Sequence, residues 1–180
     1  MSLEPSIKGI FMKSHVQAVF RAKGEEGVRA LEACYGKSLA FKVSDTIPVK
    51  DESRLIECAT RILADHPIPE DRIAYEAGKV HFKNFSQTPL GRLTLPFFKN
   101  NYRLILLRAR YLGAHVFQGV KFASEELGPK TVYLVMSNTD YPIDHFKGLF
   151  QAWMEYCGLT GAITPRIIES KVHGYTIEWQ

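Results

Sequence analysis

The segment NNYRLILLRAR, Asn100 to Arg110, sets guanidinium groups among leucines. Guanidinium holds carboxylate or phosphate bidentately, so this is where a ligand anion would be gripped. On a wheel at about 100° per residue, Leu104, Ile105, Leu107, Tyr111 and Leu112 share one broad apolar face. Arg103 and Arg110 fall together on another side, which solvent would accept. Arg108 falls about 40° from Leu104, inside the apolar face. An arginine there loses water on burial, and charge-assisted hydrogen bonds must offset that cost. The wheel therefore predicts a buried Arg108, paired with a carboxylate such as Glu76 or with a bound anion. Arg92 is a second candidate, since it follows Gly91 in a predicted loop, where functional side chains concentrate. Tyr102 and Tyr111 flank the arginines, as do Phe97 and Phe98, and such a set suits an apolar cavity with a polar end. The expected ligand-binding residues are thus Arg92, Arg103, Arg108, Tyr102 and Tyr111, and the ligand they suit is a small amphipathic acid or anion. The competing uses are solvated charge for Arg103 and Arg110, structural pairing for Arg108 and Arg92, and core packing for the aromatics.

Little else in the chain has the spacing of a reactive site. There is no Walker loop, G-x-G-x-x-G, H-E-x-x-H or G-x-S-x-G. The six histidines are scattered and none pairs with another at i+3 or i+4, so no helical metal site is visible and no metal or cofactor is expected. Glu125 and Glu126 are adjacent at a strand end, where neighbouring side chains point oppositely. No catalytic residue is assigned, and the chain reads as a non-enzyme. Cys34, Cys58 and Cys157 form no C-x-x-C pair and each falls on a helix core face, which predicts buried thiols.

The 180 residues, 46% of them apolar, suit a single domain over 1–180, with residues 1–3 reading as a cloning remnant. The net charge of +4 is spread without a run of like charges, so nucleic acid is not an expected partner. No apolar stretch approaches the ~20 residues that span a bilayer, and the N-terminus lacks a signal-peptide layout. The expectation is a cytoplasmic protein without membrane insertion.

These residues must be positioned by a run of helices followed by strands. Helices are predicted from Ser14 to Ala22, ending at Gly24, and from Glu25 to Gly36. A third is capped by Asp51, with Leu55, Ile56, Ala59, Ile62 and Leu63 as its stripe. A fourth runs from Pro69 to about Phe85, with Gly78 inside it for close packing against a neighbour. After the arginine-rich helix, alternation around Val116, Gln118, Val120 and Phe122 predicts a strand, and TVYLVMSN a second. A helix follows whose face of Phe146, Leu149, Phe150 and Trp153 is expected against the sheet. Two strands, Arg166–Ser170 and Tyr175–Trp179, turn at His173-Gly174. The fold class is α+β: N-terminal helices, then a β-β-α-β-β antiparallel unit.

The opening IKGIFMKSHVQAVFRAKGEEGVRALEACYG resembles that of the haem–nitric oxide/oxygen-binding (H-NOX) superfamily, and YLVMSN with FKGLFQAW is similar to its Y-x-S and G-L-I region. Related ligand-binding folds are the 4-vinyl reductase domain and the Bet3-like transport-particle subunits. EDRIAYEAGKVHFKNFSQTPLGR, LGPKTVYLVMSNTDYPIDHFKGLF and YTIEW resemble an uncharacterised Myxococcales-type family of similar length, a domain of unknown function. The resemblance implies an H-NOX/Bet3-like fold. It also implies where haem would be held, and there the chain departs. Arg103 stands at the position of the haem-ligating histidine, and a protonated guanidinium has no lone pair for iron. Val135, Ser137 and Thr139 stand where a tyrosine-serine-arginine set would hold the propionates. His115, in a predicted loop, is read as a surface or capped histidine. The expectation is a haem-free, non-enzymatic small-ligand-binding or sensory domain. The alternative is a protein-interaction module, such as a homodimer, on the same fold with no ligand pocket.

Overall fold

The computed structural model describes residues 3–180; the expectation for residues 1 and 2 as a remnant lies outside them. Strand β1 (Ser6–Lys8) leads directly into helix α1 (Gly9–Tyr35), which is broken at Gly24, φ 63° and ψ −158°. The two predicted N-terminal helices are therefore two limbs hinged at the expected glycine. The second limb ends at Gly36, whose N–H donates to Glu32 O. Strand β2 (Thr46–Pro48) precedes α2 (Val49–Leu63), where Asp51 lies in the first turn rather than at the cap. Helix α3 (Ile73–Ser86) follows a single 3-10 turn at Glu70–Arg72.

Two predicted features change at this point. The segment expected to be a loop at Arg92 is helix α4 (Pro89–Phe98). Thr88 caps it, its hydroxyl accepting from Gly91 N–H, and Pro89 takes the first helical position, a start signal that TPLG carries openly. The arginine-rich helix is two short helices, α5 (Tyr102–Leu107) and α6 (Ala109–Val116). The break lies at Arg108, φ −99° and ψ 9°. Tyr111 N–H bonds to Arg108 O, and the Leu107 carbonyl accepts from the Ser124 hydroxyl at 3.3 Å instead. A side chain from the sheet has replaced one rung of the helical ladder.

The chain then forms β3 (Phe117–Gln118), β4 (Lys121–Gly128), β5 (Thr131–Ser137), α7 (Ile143–Tyr156), β6 (Gly161–Glu169) and β7 (Val172–Trp179). The single strand expected around Val116–Phe122 is divided at Gly119 (φ 80°), and β3 pairs with β1 in a small sheet ordered β2-β1-β3. The main sheet is antiparallel, ordered β4-β5-β7-β6, so the predicted β-β-α-β-β unit is present. Its last turn falls before β7, with Lys171 at φ 62°, rather than at His173-Gly174; those residues pair within β7. Val132, Leu134 and Met136 form the buried face of β5. Pro165 is tolerated because β6 is an edge strand.

Phe146, Phe150 and Met154 of α7 are buried in the core. Leu149 and Trp153, expected on the same sheet-facing surface, are only half-buried, and the Trp153 ring packs 5.5 Å from Phe82 of α3. Helices α3 and α7 are in backbone contact. A Cβ on Gly78 would lie 1.8 Å from His145 O, and a Cβ on Gly148 would lie 1.9 Å from Tyr75 O. The expected role of Gly78 is thus correct, and Gly148 is its counterpart. The cysteines are a correction: Cys34 and Cys58 form a disulfide joining α1 to α2, and Cys157 alone is a free thiol.

Candidate functional site

Where the first three helices meet α7, polar side chains gather in the core. His15 lies on α1 between Phe11 and Val19, one turn to either side, so the apolar face carries it inward. Glu52, on α2, precedes Ile56 and Ala59 by four and seven residues and shares their buried face. His81 and Asn84 are on α3 at i and i+3, and His145 is in the first turns of α7. His15, Glu52 and His145 are 0–1% exposed, and His81 and Asn84 are each 3% exposed.

The hydrogen bonds link all of them. His15 Nε2 lies 2.7 Å from Glu52 Oε1, and Asn84 Nδ2 lies 3.0 Å from His15 Nδ1. Tyr141 donates its hydroxyl to Glu52 Oε2 at 2.5 Å. His81 Nδ1 lies 3.0 Å from His145 Nε2 and 3.6 Å from Glu52 Oε1. His145 Nδ1 is buried with no partner among the described residues. Burial alone would raise the Glu52 carboxyl, but the His81, His15 and His145 imidazoles and the His15 hydrogen bond outweigh it and hold Glu52 at about 2. Burial pushes His81 down to about 4 and His145 to about 3. At neutral pH the arrangement is an ionised Glu52 carboxylate beside uncharged His81 and His145 rings.

His81 has a second role as the polar edge of an apolar cavity of about 90 Å³. Phe82 and Phe85 of α3, Leu106 of α5, Phe122 of β4 and Phe146 of α7 form much of its wall. On the outer side, Asn84 borders a wider cleft of about 660 Å³ between α1, α2 and α3.

The five residues expected to bind ligand are not gathered here. Arg92 is exposed on α4. Arg103 is exposed and pairs bidentately with Glu126, Nε donating at 2.9 Å. Arg108 is exposed, contrary to its predicted burial, because the break between α5 and α6 turns it out of the apolar face; it lies over the Tyr111 ring, 5.7 Å from the centroid. Tyr111 is 61% exposed. Tyr102 is buried and donates its hydroxyl to Phe150 O at 3.0 Å. None of the five lines the apolar cavity. The expectation of no metal-ligating cluster also changes: ligand atoms of His15, Glu52 and His81 lie within 4.8 Å of one another. Spacing along the chain missed them because each comes from a different helix. The available signal was the wheel, on which Glu52 and His81 share the apolar stripes of α2 and α3.

The family model for a protein of unknown function, DUF2378, matches residues 3–180. The chain belongs to this family. Among solved structures, the family's fold as seen here is similar to a mutant H-NOX protein from K. algicida in the unliganded Fe(II) state, with 15% identity, 97% of each chain covered and a TM-score of 0.66. A mutant H-NOX from T. Tengcongensis is similar at 12% identity, covering 97% of this chain and 98% of that one, with a TM-score of 0.62. An oxygen-binding H-NOX domain related to soluble guanylate cyclases, in its oxygen complex, gives 11% identity, 97% and 94% coverage and a TM-score of 0.61. No curated protein matches. The α+β architecture is therefore H-NOX-like. No helix is long and apolar enough to cross a membrane among the described residues.

Proposed function

We propose that this DUF2378 domain binds a small, largely apolar ligand in a sensory role, without haem and without catalysis. The observation that carries the reading is the apolar cavity of about 90 Å³ with His81 at its edge. Apolar cavities of this order stay dry and take up small apolar molecules. The volume is well below the roughly 300 Å³ at which cofactor and drug-sized pockets begin, so the residues present do not fit a porphyrin. The departures at Arg103, Val135 and Thr139 support the same reading: Arg103 is committed to Glu126, and His115 on α6 is exposed. An acidic ligand would need a cation in the cavity wall, and the polar groups there are the His81 ring and the Trp153 indole N–H, so an uncharged ligand fits better than the expected amphipathic acid. The similar H-NOX domain in its oxygen complex adds a precedent of fold alone. The Cys34–Cys58 disulfide does not support the expected cytoplasmic location, since such bonds persist mainly in oxidising compartments.

Xenon is a suitable probe. NMR spectra of xenon-equilibrated protein should shift at Leu106, Phe122 and Phe146, with the shifts suppressed in Ala109→Leu, which fills the cavity wall. Mixing with haemin should leave no stoichiometric Soret absorbance after desalting. Absent or scattered xenon shifts, or retained haem, would overturn the reading. The interaction-module alternative draws on α4, whose Leu90, Leu93 and Phe97 are 42%, 67% and 79% exposed. A dimer in native mass spectrometry together with a xenon-silent core would favour it.

A further inference from the structure

We propose that His15, Glu52 and His81, with His145 beside them, form a binding site for one divalent first-row transition-metal ion. Two imidazoles and a carboxylate with positions left open form a recurrent ligand set for such ions. Metal–ligand bonds of about 2.0–2.2 Å place neighbouring ligand atoms of one ion roughly 2.8–3.6 Å apart. The observed separations, 2.7 Å from His15 Nε2 to Glu52 Oε1 and 3.6 Å from His81 Nδ1 to the same oxygen, bracket that range. The three ligand atoms lie within 4.8 Å of one another, so side-chain movement alone would close them around one ion.

Charge points the same way. Glu52 is fully buried, and histidines are the only basic groups that pair with it among the described residues. Asn84 Nδ2 lies 3.0 Å from His15 Nδ1 and Glu52 Oε1 lies 2.7 Å from His15 Nε2, so both ring nitrogens have a polar neighbour. A fully buried carboxylate whose basic neighbours are imidazoles alone is in a costly position that a divalent ion would relieve. The surroundings suit the exchange. Turning the Asn84 amide over presents its Oδ1 to His15 Nδ1–H and frees the Nε2 lone pair, the second-layer hydrogen bond that metal-bound histidines ordinarily have. Tyr141 holds Glu52 Oε2, leaving Oε1 for the ion. His145 is 0% exposed and its Nε2 stands 3.0 Å from His81 Nδ1, which keeps a fourth imidazole beside the three ligands. Asn84 borders the outer cleft, which offers a route in.

This site does not rest on the apolar-ligand reading, and its test uses metal ions alone. Untagged protein, stripped with a chelator, is titrated with Co(II) and then Zn(II). The expected result is one equivalent of Co(II) with visible d–d absorption, displaced by Zn(II), and a raised Tm. Glu52→Gln and His81→Phe should weaken binding by about 100-fold or more, while exposed His115→Ala should leave it unchanged. If either core variant fails to fold, side-chain ¹⁵N spectra of the wild-type histidines replace it: Zn(II) should move the His15 and His81 resonances. No Co(II) band and no Tm change in the wild type would overturn the site. So would binding that persists in folded Glu52→Gln and His81→Phe, or Zn(II) shifts confined to other histidines.

Discussion

Arg108 illustrates how one residue can obey its own chemistry and defeat a wheel. Its guanidinium is in solvent, leaning on Tyr111 at 5.7 Å, so no buried acid depends on it. Exposed cation–π contacts contribute at most about 1 kcal/mol. Arg108→Met should therefore cost no more than that in urea unfolding; a loss of 3 kcal/mol would restore a buried partner. The wheel failed because it assumed one helix through Arg108, whereas Ser124, far along the chain, takes the Leu107 carbonyl. Applied to the unbroken α2, the same wheel would put Glu52 on the buried face with Leu55, Ile56 and Ala59. His173 yields a second expectation. Its ring is 8% exposed, Nδ1 has no partner among the described residues, and burial lowers its pKa from 6.5. Below pH 6.5 the unfolded chain takes up this proton before the folded one does, so the stability His173 contributes is complete above 6.5 and lost as pH falls beneath it. Denaturant unfolding of His173→Gln between pH 7.5 and 5 should show a shallower decline than the wild type; parallel curves would contradict the assignment.

Between elements, the decisive contact is α3 against α7. Gly78 and Gly148 each face backbone of the other helix, and each lies three residues from a clustered histidine, His81 and His145. The glycines bring the two axes close enough for those rings to meet at 3.0 Å. In an isolated helix, Gly78→Ala would gain about 1 kcal/mol. Here its methyl would collide with the His145 carbonyl, and overpacking of this kind costs about 1–3 kcal/mol or more. The variant should be net less stable in chemical unfolding; a stabilised variant would show that the helices can separate freely. Individual elements were legible because their signals are local: the α2 stripe, the Gly24 break, the apolar run of β5. The cluster was not, since its hydrogen-bonded pairs are 37, 64, 69 and 89 residues apart. Only the packing of α1, α2, α3 and α7 brings them together.

At the scale of the molecule, an H-NOX-like frame surrounds a small apolar space of about 90 Å³, with a buried polar cluster at its edge. The order of helices and the antiparallel sheet could be read from pattern and resemblance, whereas the volume left between α3, α5, α6 and α7 could not, because it depends on how closely the helices approach. That space also has a mechanical consequence. A void of 90 Å³ amounts to about 50 mL per mole, comparable with whole-protein unfolding volumes of roughly 20 to 100 mL per mole. Hydrostatic pressure should therefore unfold this chain readily, as water enters where atoms are missing. High-pressure fluorescence of the Trp153 environment would measure it. The midpoint pressure should rise in Ala109→Leu; equal midpoints would mean that the space closes on its own. Compression, which needs no knowledge of any ligand, thus gauges how much of the core is empty.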